Sequence, residues 1–218
     1  MRTTLHRRHG LSLLEVCVLV AAIGLLMVFA LSLLNAKAKA HRIHCLSNLK
    51  HIGLANLLYA NDHGEKFPWM VSTDFNPTNA SGSREFTNSA QVFRHLQAAS
   101  NELNTPKVLR CPSDAGRQTA LDFVNFGNRN VGYFVGLDAA ANNQGMLLSG
   151  DRNITGATFA NPNLLLVRNN SSIAWTKSIH MSQGNVGLAD GSIGQMTTPS
   201  LNKQIAAVTN AVFRLAIP

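Results

Sequence analysis

Charge is scarce in this chain, and acidic charge scarcest. Of 218 residues, 14% are Asp, Glu, Lys or Arg, with 11 acidic against 19 basic. Such a composition, with 45% hydrophobic residues, excludes intrinsic disorder, which needs low hydrophobicity and high charge. It excludes a coiled coil as well, which would be rich in Glu and Lys. Three cysteines are too few for a disulfide-built scaffold. No G-x-S-x-G, H-E-x-x-H or phosphate-binding glycine loop is present. His180, Asp190 and Ser192 can be arranged on paper as a triad, with Asp138 or Asp151 joining, but nothing fixes a nucleophile. Asp190-Gly191 is accounted for by turn geometry, and no enzymatic activity is expected.

What the chain does have is a concentration of apolar residues at one end. From Leu11 to Leu34 it reads LSLLEVCVLVAAIGLLMVFALSLL, in which Glu15 is the one charged residue. A helix of this length spans roughly 36 Å and can cross a hydrocarbon core of about 30 Å. The mean hydropathy of +0.03 is therefore an average over this segment and a polar, Asn- and Gly-rich remainder. Three readings compete. A secretory signal peptide would have a shorter apolar region and a small-residue cleavage site. A plain signal anchor fits the length and leaves Glu15 as a carboxylate tolerated near the interface. The third reading gives Glu15 a task, because a carboxylate at the centre of a membrane span costs about 2.5–3.5 kcal/mol unless something pairs with it.

The string Gly10-Leu11-Ser12-Leu13-Leu14-Glu15, behind a leader containing Arg2, Arg7 and Arg8, resembles the processing site of type IV prepilins and type II secretion pseudopilins. In that family a prepilin peptidase cuts after the Gly and N-methylates the next residue, and a Glu follows as the fifth mature residue. Gly10, Leu11 and Glu15 occupy those positions; Leu11 stands where Phe is commonest. The resemblance implies an α+β, type IV pilin-like fold: a long N-terminal helix packed on a small antiparallel β head with short helices. It implies a leader over 1–10, a membrane or filament-core helix over 11–34, an amphipathic continuation over 35–63 and an extracytoplasmic head over 64–218. It further implies a structural subunit of a secretion pseudopilus or pilus-like filament. The partners would be the prepilin peptidase/N-methyltransferase, other pilin or pseudopilin subunits, an inner-membrane assembly platform and membrane lipid. The alternative is a membrane-anchored binding module for a glycan, DNA or a secreted substrate that never polymerises.

The chemistry is compatible with the resemblance. A new ammonium at Leu11 and the Glu15 carboxylate are opposite charges on adjacent helical turns, and in a filament the ammonium of one subunit can meet the Glu of the next. The leader arginines place the N-terminus in the cytoplasm of a bacterial inner membrane, although Lys37, Lys39 and Arg42 on the far side weaken that bias. Losing the leader lowers the net charge from +8 to +5 and removes much of the case for a nucleic-acid partner.

Beyond Leu34 the residues Ile43, Leu46, Leu49, Ile52, Leu54, Leu57 and Leu58 recur mostly at helical spacing, so one helix of roughly 75 Å is expected up to about Ala60, stopped by Gly64 and Pro68. His41 and Cys45, four apart on this helix, have a feasible metal-ligand spacing; a solvated helix face that also carries His44 and His51 is the simpler account. A short helix is expected over 87–103 with Val92, Phe93 and Leu96 inward. Strands are expected at 132–137, 146–149, 164–167, 172–175, 184–189 and 192–196. Asp190-Gly191 suggests a type I′ hairpin, and Leu201, Ile205, Val208 and Val212 suggest a final helix over 201–215.

Cys45 followed by Ser47-Asn48-Leu49-Lys50, the Cys111-Pro112-Ser113-Asp114 turn, and His180 nine residues before Asp190-Gly191 are similar to the H-x9-DG pseudopilin-like proteins of planctomycetes and verrucomicrobia. Cys45 and Cys111 then both lie outside the membrane, in an oxidising compartment. Either they form a disulfide, closing a loop of about 66 residues at roughly 4 kcal/mol of chain-entropy stabilisation, or they are two buried thiols. Cys17, in the apolar helix, is a packing residue. The resemblance to type II secretion pseudopilins, whose major subunits bind Ca²⁺ in a loop of the head, allows a Ca²⁺ site here; Asp138, Asp151 and Asp190 are candidates, and the ligands stay unassigned.

Overall fold

A computed structural model describes residues 12–73, 82–208 and 211–218. Gly10 and Leu11 lie outside the described residues. The first helix, α1, runs Leu13–Asp62, and the chain divides into two units, Met1–Ala40 and His41–Pro218.

In the first unit every side chain from Ser12 to Ala30 is exposed. The stretch Leu13–Ala30 is long and apolar enough to cross a membrane, with Glu15 as its sole charged residue. An apolar surface of that extent is not left to water; it marks a lipid or protein contact. Ser12 caps the helix. Its hydroxyl accepts from the Glu15 amide at 3.3 Å, while the Glu15 carboxylate accepts from the Ser12 amide at 2.8 Å and the Ser12 hydroxyl at 3.0 Å. This is the reciprocal S-x-x-E capping box.

The second unit is α+β. Strands β1 (Tyr133–Gly136), β2 (Leu147–Asp151), β3 (Ile154–Thr155), β4 (Thr158–Asn161), β5 (Leu164–Arg168), β6 (Ala174–Trp175), β7 (Gln183–Leu188), β8 (Ile193–Thr197) and β9 (Val212–Ala216) form two sheets. Seven of them order as β4-β5-β9-β1-β2-β7-β8, and β3 pairs with β6. Every pairing is antiparallel. The helical half of this unit packs one face inward: Cys45, Leu49, Ile52, Ala55 and Tyr59 are all buried. Tyr133 on β1 reaches the same helix, its hydroxyl donating to the Cys45 carbonyl at 3.5 Å. The helix ends where expected. Gly64 takes φ +64° and the Glu65 amide turns back to the Ala60 carbonyl at 2.7 Å, which satisfies carbonyls left open at a helix C-terminus.

Ile43, Leu54 and Leu58 are 67%, 51% and 48% exposed and lie on the outer face of α1. Three expectations need correction. The helix expected over 87–103 is two short ones, α2 (Phe93–Gln97) and α3 (Ser100–Leu103), although Val92 and Leu96 are buried as anticipated. The last helix, α4, spans only Thr198–Ala206, and the following Val212–Ala216 is a strand in the middle of the sheet. The β7–β8 turn is not type I′, because Asp190 lacks the positive φ which that turn requires at both central residues. Instead the Gly191 amide bonds the Leu188 carbonyl at 2.9 Å, Gly191 takes φ +80°, and the Leu188 amide bonds the Ser192 carbonyl at 2.9 Å. A three-residue loop with glycine in the left-handed position results.

Trp175 of β6 lies over Gly184 of β7, where an added Cβ would sit 2.5 Å from the indole ring. Gly184→Ala should therefore destabilise the fold by about 1–3 kcal/mol through overpacking, read as a lower urea midpoint. An unchanged midpoint would show that the ring does not rest on this glycine.

Candidate functional site

Two sequence-selected residues, His180 and Gly191, are held by α1 at either end of β7. Arg42 donates through Nη2 to the His180 carbonyl and through Nη1 to Gln183 Oε1, both at 2.9 Å. Two turns further along α1, Lys50 Nζ donates to the Gly191 carbonyl at 2.8 Å. His180 and Gly191 are thus the two points at which the helix grips the hairpin, about 12 Å apart along the helix axis. Gly191 is favoured by its positive φ of +80°, and Leu57 Cδ1 packs close against it. Asp190 is exposed, and its carboxylate accepts from the Ser192 amide at 2.8 Å, fixing the turn.

Behind the first grip lies a buried polar cluster. Cys45 and Cys111 form a disulfide, with sulfurs 2.10 Å and Cα atoms 5.1 Å apart. His180 Nε2 is 3.4 Å from Cys111 Sγ and 3.4 Å from Asp151 Oδ2. Asp151 Oδ2 accepts from the Asn185 amide at 2.7 Å and from Asn185 Nδ2 at 2.9 Å, whereas Asp151 Oδ1 is buried with no hydrogen-bond partner among the described residues. Asn153 Nδ2 serves the carbonyls of Thr176 and Ile179 at 2.9 Å and of Gln183 at 3.3 Å, holding the loop that presents His180. That loop is unusual: His180, Met181 and Ser182 take φ of 53°, 52° and 62° in succession. Left-handed backbone costs a non-glycine residue about 1–2 kcal/mol.

The Cys111-Pro112-Ser113-Asp114 turn is tied to the same place. Asp114, 2% exposed, takes both nitrogens of the Arg152 fork, Nε at 2.6 Å and Nη2 at 3.0 Å. Asn48 on α1 donates to the Arg110 carbonyl at 3.0 Å, so helix and turn are joined by a hydrogen bond beside the disulfide.

Burial sets the ionisation of the cluster. It pushes the Asp151 carboxyl up to about 7 against the opposing pull of the Asn185 hydrogen bonds. It pushes His180 down to about 4, with Arg42 and His41 adding to the effect. The 3.4 Å separation suggests an ion pair, but burial disfavours the charged form of each partner. A neutral carboxyl beside a neutral imidazole is the state these environments favour. The Tyr133 hydroxyl is likewise raised, first by burial and then by Asp151.

This is not a catalytic triad. Cys111 Sγ and Asp151 Oδ2 both approach the same imidazole nitrogen, whereas an orienting carboxylate must hold the other one. His180 and Asp190 stand at opposite ends of β7. The calcium candidates are also dispersed: Asp138 is held by the Arg214 amide and guanidinium at 2.7 Å, Asp151 is in the buried cluster, and Asp190 is in the hairpin turn. Cys17 is exposed, and His44 and His51 are solvated. Sequence reasoning passed over Arg42, Lys50, Asn153, Arg152 and Asn185. A polar Asn in a run of small apolar residues, as in Gly184-Asn185-Val186-Gly187, was the available signal for the last.

Comparison with protein-family models, curated proteins and solved structures finds no match.

Asp151 should give the head a measurable pH dependence. The unfolded chain ionises this carboxyl near 3.8 and the folded chain near 7. Between those values the folded state holds the extra proton, so this contribution to stability is present in acid and lost as pH rises toward 7 and beyond. In the disulfide-bonded protein, Asp151→Asn should remove that loss and gain up to about 3 kcal/mol relative to the parent between pH 4.5 and pH 8. Urea titrations that show the same parent–variant difference at both pH values would refute the burial of an ionisable Asp151.

Proposed function

We propose that this chain is a structural subunit of a type II secretion pseudopilus or a related type IV pilus-like filament, acting in protein secretion. The carrying observation is Glu15, the single charge in the fully exposed apolar stretch Leu13–Ala30. The apolar helix inserts in the inner membrane with its N-terminus in the cytoplasm, and prepilin peptidase cuts after Gly10 and methylates Leu11. The mature chain then packs by its helix against other subunits, Glu15 meeting a neighbour's terminal ammonium. Unpaired, that carboxylate is expensive in hydrocarbon; paired, it sets the register. Two further features support this reading. A helix running from the apolar segment to Asp62 and an antiparallel sheet on its later residues are the elements of a pilin-like fold. Ile43, Leu54 and Leu58 give the outer face of α1 an apolar stripe suited to a second helix.

One observation favours a second reading, the unpolymerised membrane-anchored binding module. The Ser12 capping box already supplies the Glu15 carboxylate with two donors, so a plain anchor could carry this Glu as a helix cap.

Two variants separate the readings. Under the filament reading, Glu15→Ala is processed normally but lowers the fibre yield at least tenfold, whereas Ser12→Ala, which removes only the cap, still assembles. Equal behaviour of the two variants in a fibre-shearing assay would remove the pairing mechanism. Mass determination of the N-terminus, with and without the peptidase, should find a chain beginning at methylated Leu11; an intact Met1 would refute processing.

A further inference from the structure

The buried cluster has features that a structural disulfide does not use. A disulfide sulfur carries no proton and accepts hydrogen bonds weakly, yet the chain holds three successive residues left-handed to keep the His180 ring against it. Asp151, fully buried, brings Oδ2 to 3.4 Å from that ring and leaves Oδ1 without a partner among the described residues. Cys45 Sγ, Cys111 Sγ and a His180 nitrogen lie within 4.8 Å of one another, and all three residues are buried.

We propose that in its dithiol state this cluster is a zinc site, with the Cys45 and Cys111 thiolates and His180 Nε2 as three protein ligands, a water as the fourth, and the Asp151 carboxylate beside the imidazole. The donor set of two thiolates and an imidazole suits a tetrahedral, borderline-soft ion and not the all-oxygen shell of Ca²⁺. The spacing suits it too. Bonds of about 2.3 Å to sulfur and 2.0–2.1 Å to nitrogen put tetrahedral ligand atoms roughly 3.5 Å apart, close to the 3.4 Å found from Nε2 to Cys111 Sγ. The two sulfurs need only separate from bonding to ligand distance.

The disulfide and the metal are alternative crosslinks between α1 and the head. A dithiol reductant converts one into the other: thiol–disulfide exchange reduces the Cys45–Cys111 bond to two thiols and oxidises the reductant to its own disulfide. Zinc then takes both sulfurs as thiolates and two protons leave. Restoring the disulfide requires loss of the metal and a disulfide oxidant that accepts two electrons. The head thus has a crosslink at this position in both reducing and oxidising surroundings. The proposal is independent of the filament reading, since its readouts are metal content and thiol state.

The test uses the full chain in detergent, carrying Cys17→Ser so that the exposed third thiol does not compete. The reduced protein should take up one Zn²⁺ per chain in competition with a chromophoric chelator, and Co²⁺ in its place should give thiolate-to-metal charge-transfer absorption. The oxidised protein should take up neither. His180→Ala should weaken binding by about tenfold or more, and Asp151→Asn should weaken it to a lesser degree. Should His180→Ala fail to fold, Asp151→Asn carries the comparison, and unchanged affinity in the variant used would overturn the assignment. If the reduced parent is unfolded by circular dichroism, Zn²⁺ should refold it. Failure to fold with Zn²⁺, or a folded reduced protein with two titratable head thiols and no metal uptake, would overturn the proposal.

Discussion

Burial of one face of α1 against the sheet is the constraint that orders the rest of the head. Cys45, Leu49, Ile52, Ala55 and Tyr59 recur at three- and four-residue steps and are buried, so the helix can meet the sheet in one rotational setting. With the rotation fixed, Arg42 and Lys50 fall where they meet the His180 and Gly191 carbonyls, and Asn48 falls where it meets the Arg110 carbonyl. The disulfide and the polar cluster occupy the same seam. A rotation of one residue would misplace all of these contacts together.

The readable parts of this fold were those with a single local cause. The apolar run is visible by count, the end of α1 by Gly64, and most strands by short apolar runs between turn residues. The misread parts had two local causes in conflict. Apolar residues on both faces of α1 make three- and four-residue spacing ambiguous, so the pattern alone does not say that Ile43, Leu54 and Leu58 face away from the sheet. The helical spacing of Leu201, Ile205 and Val208 runs on to Val212, but β9 begins there because β1 and β5 each leave it an edge to pair. Tertiary pairing outweighs local pattern at that boundary.

The candidate site was legible as separate words and not as a sentence. Cys45, Cys111, His180, Asp190 and Gly191 were all marked in the sequence, yet their distances along the chain said nothing of which would meet. The structure brings the first three together and sends Asp190 to the far end of β7. Asp151 was noted only as one of several acids. Its burial follows from its place at the end of β2, next to β7, and Asn185 makes that burial tolerable by offering two donors, its backbone amide and its side-chain Nδ2.

The placement of β9 has a kinetic consequence. The sheet order puts the last strand in sequence between β5 and β1. Until Val212–Ala216 is available, β4–β5 and β1–β2–β7–β8 are two separate sheets, each with an unpaired inner edge that would accept a foreign strand. Joining them pairs Val212–Ala216 with residues as far back as Val135, the kind of long-range contact that slows folding. A chain emerging from its N-terminus therefore passes through a long interval in which α1 is complete and the head is open along its middle. Val212–Ala216 acts as the closing stitch between the two sheets.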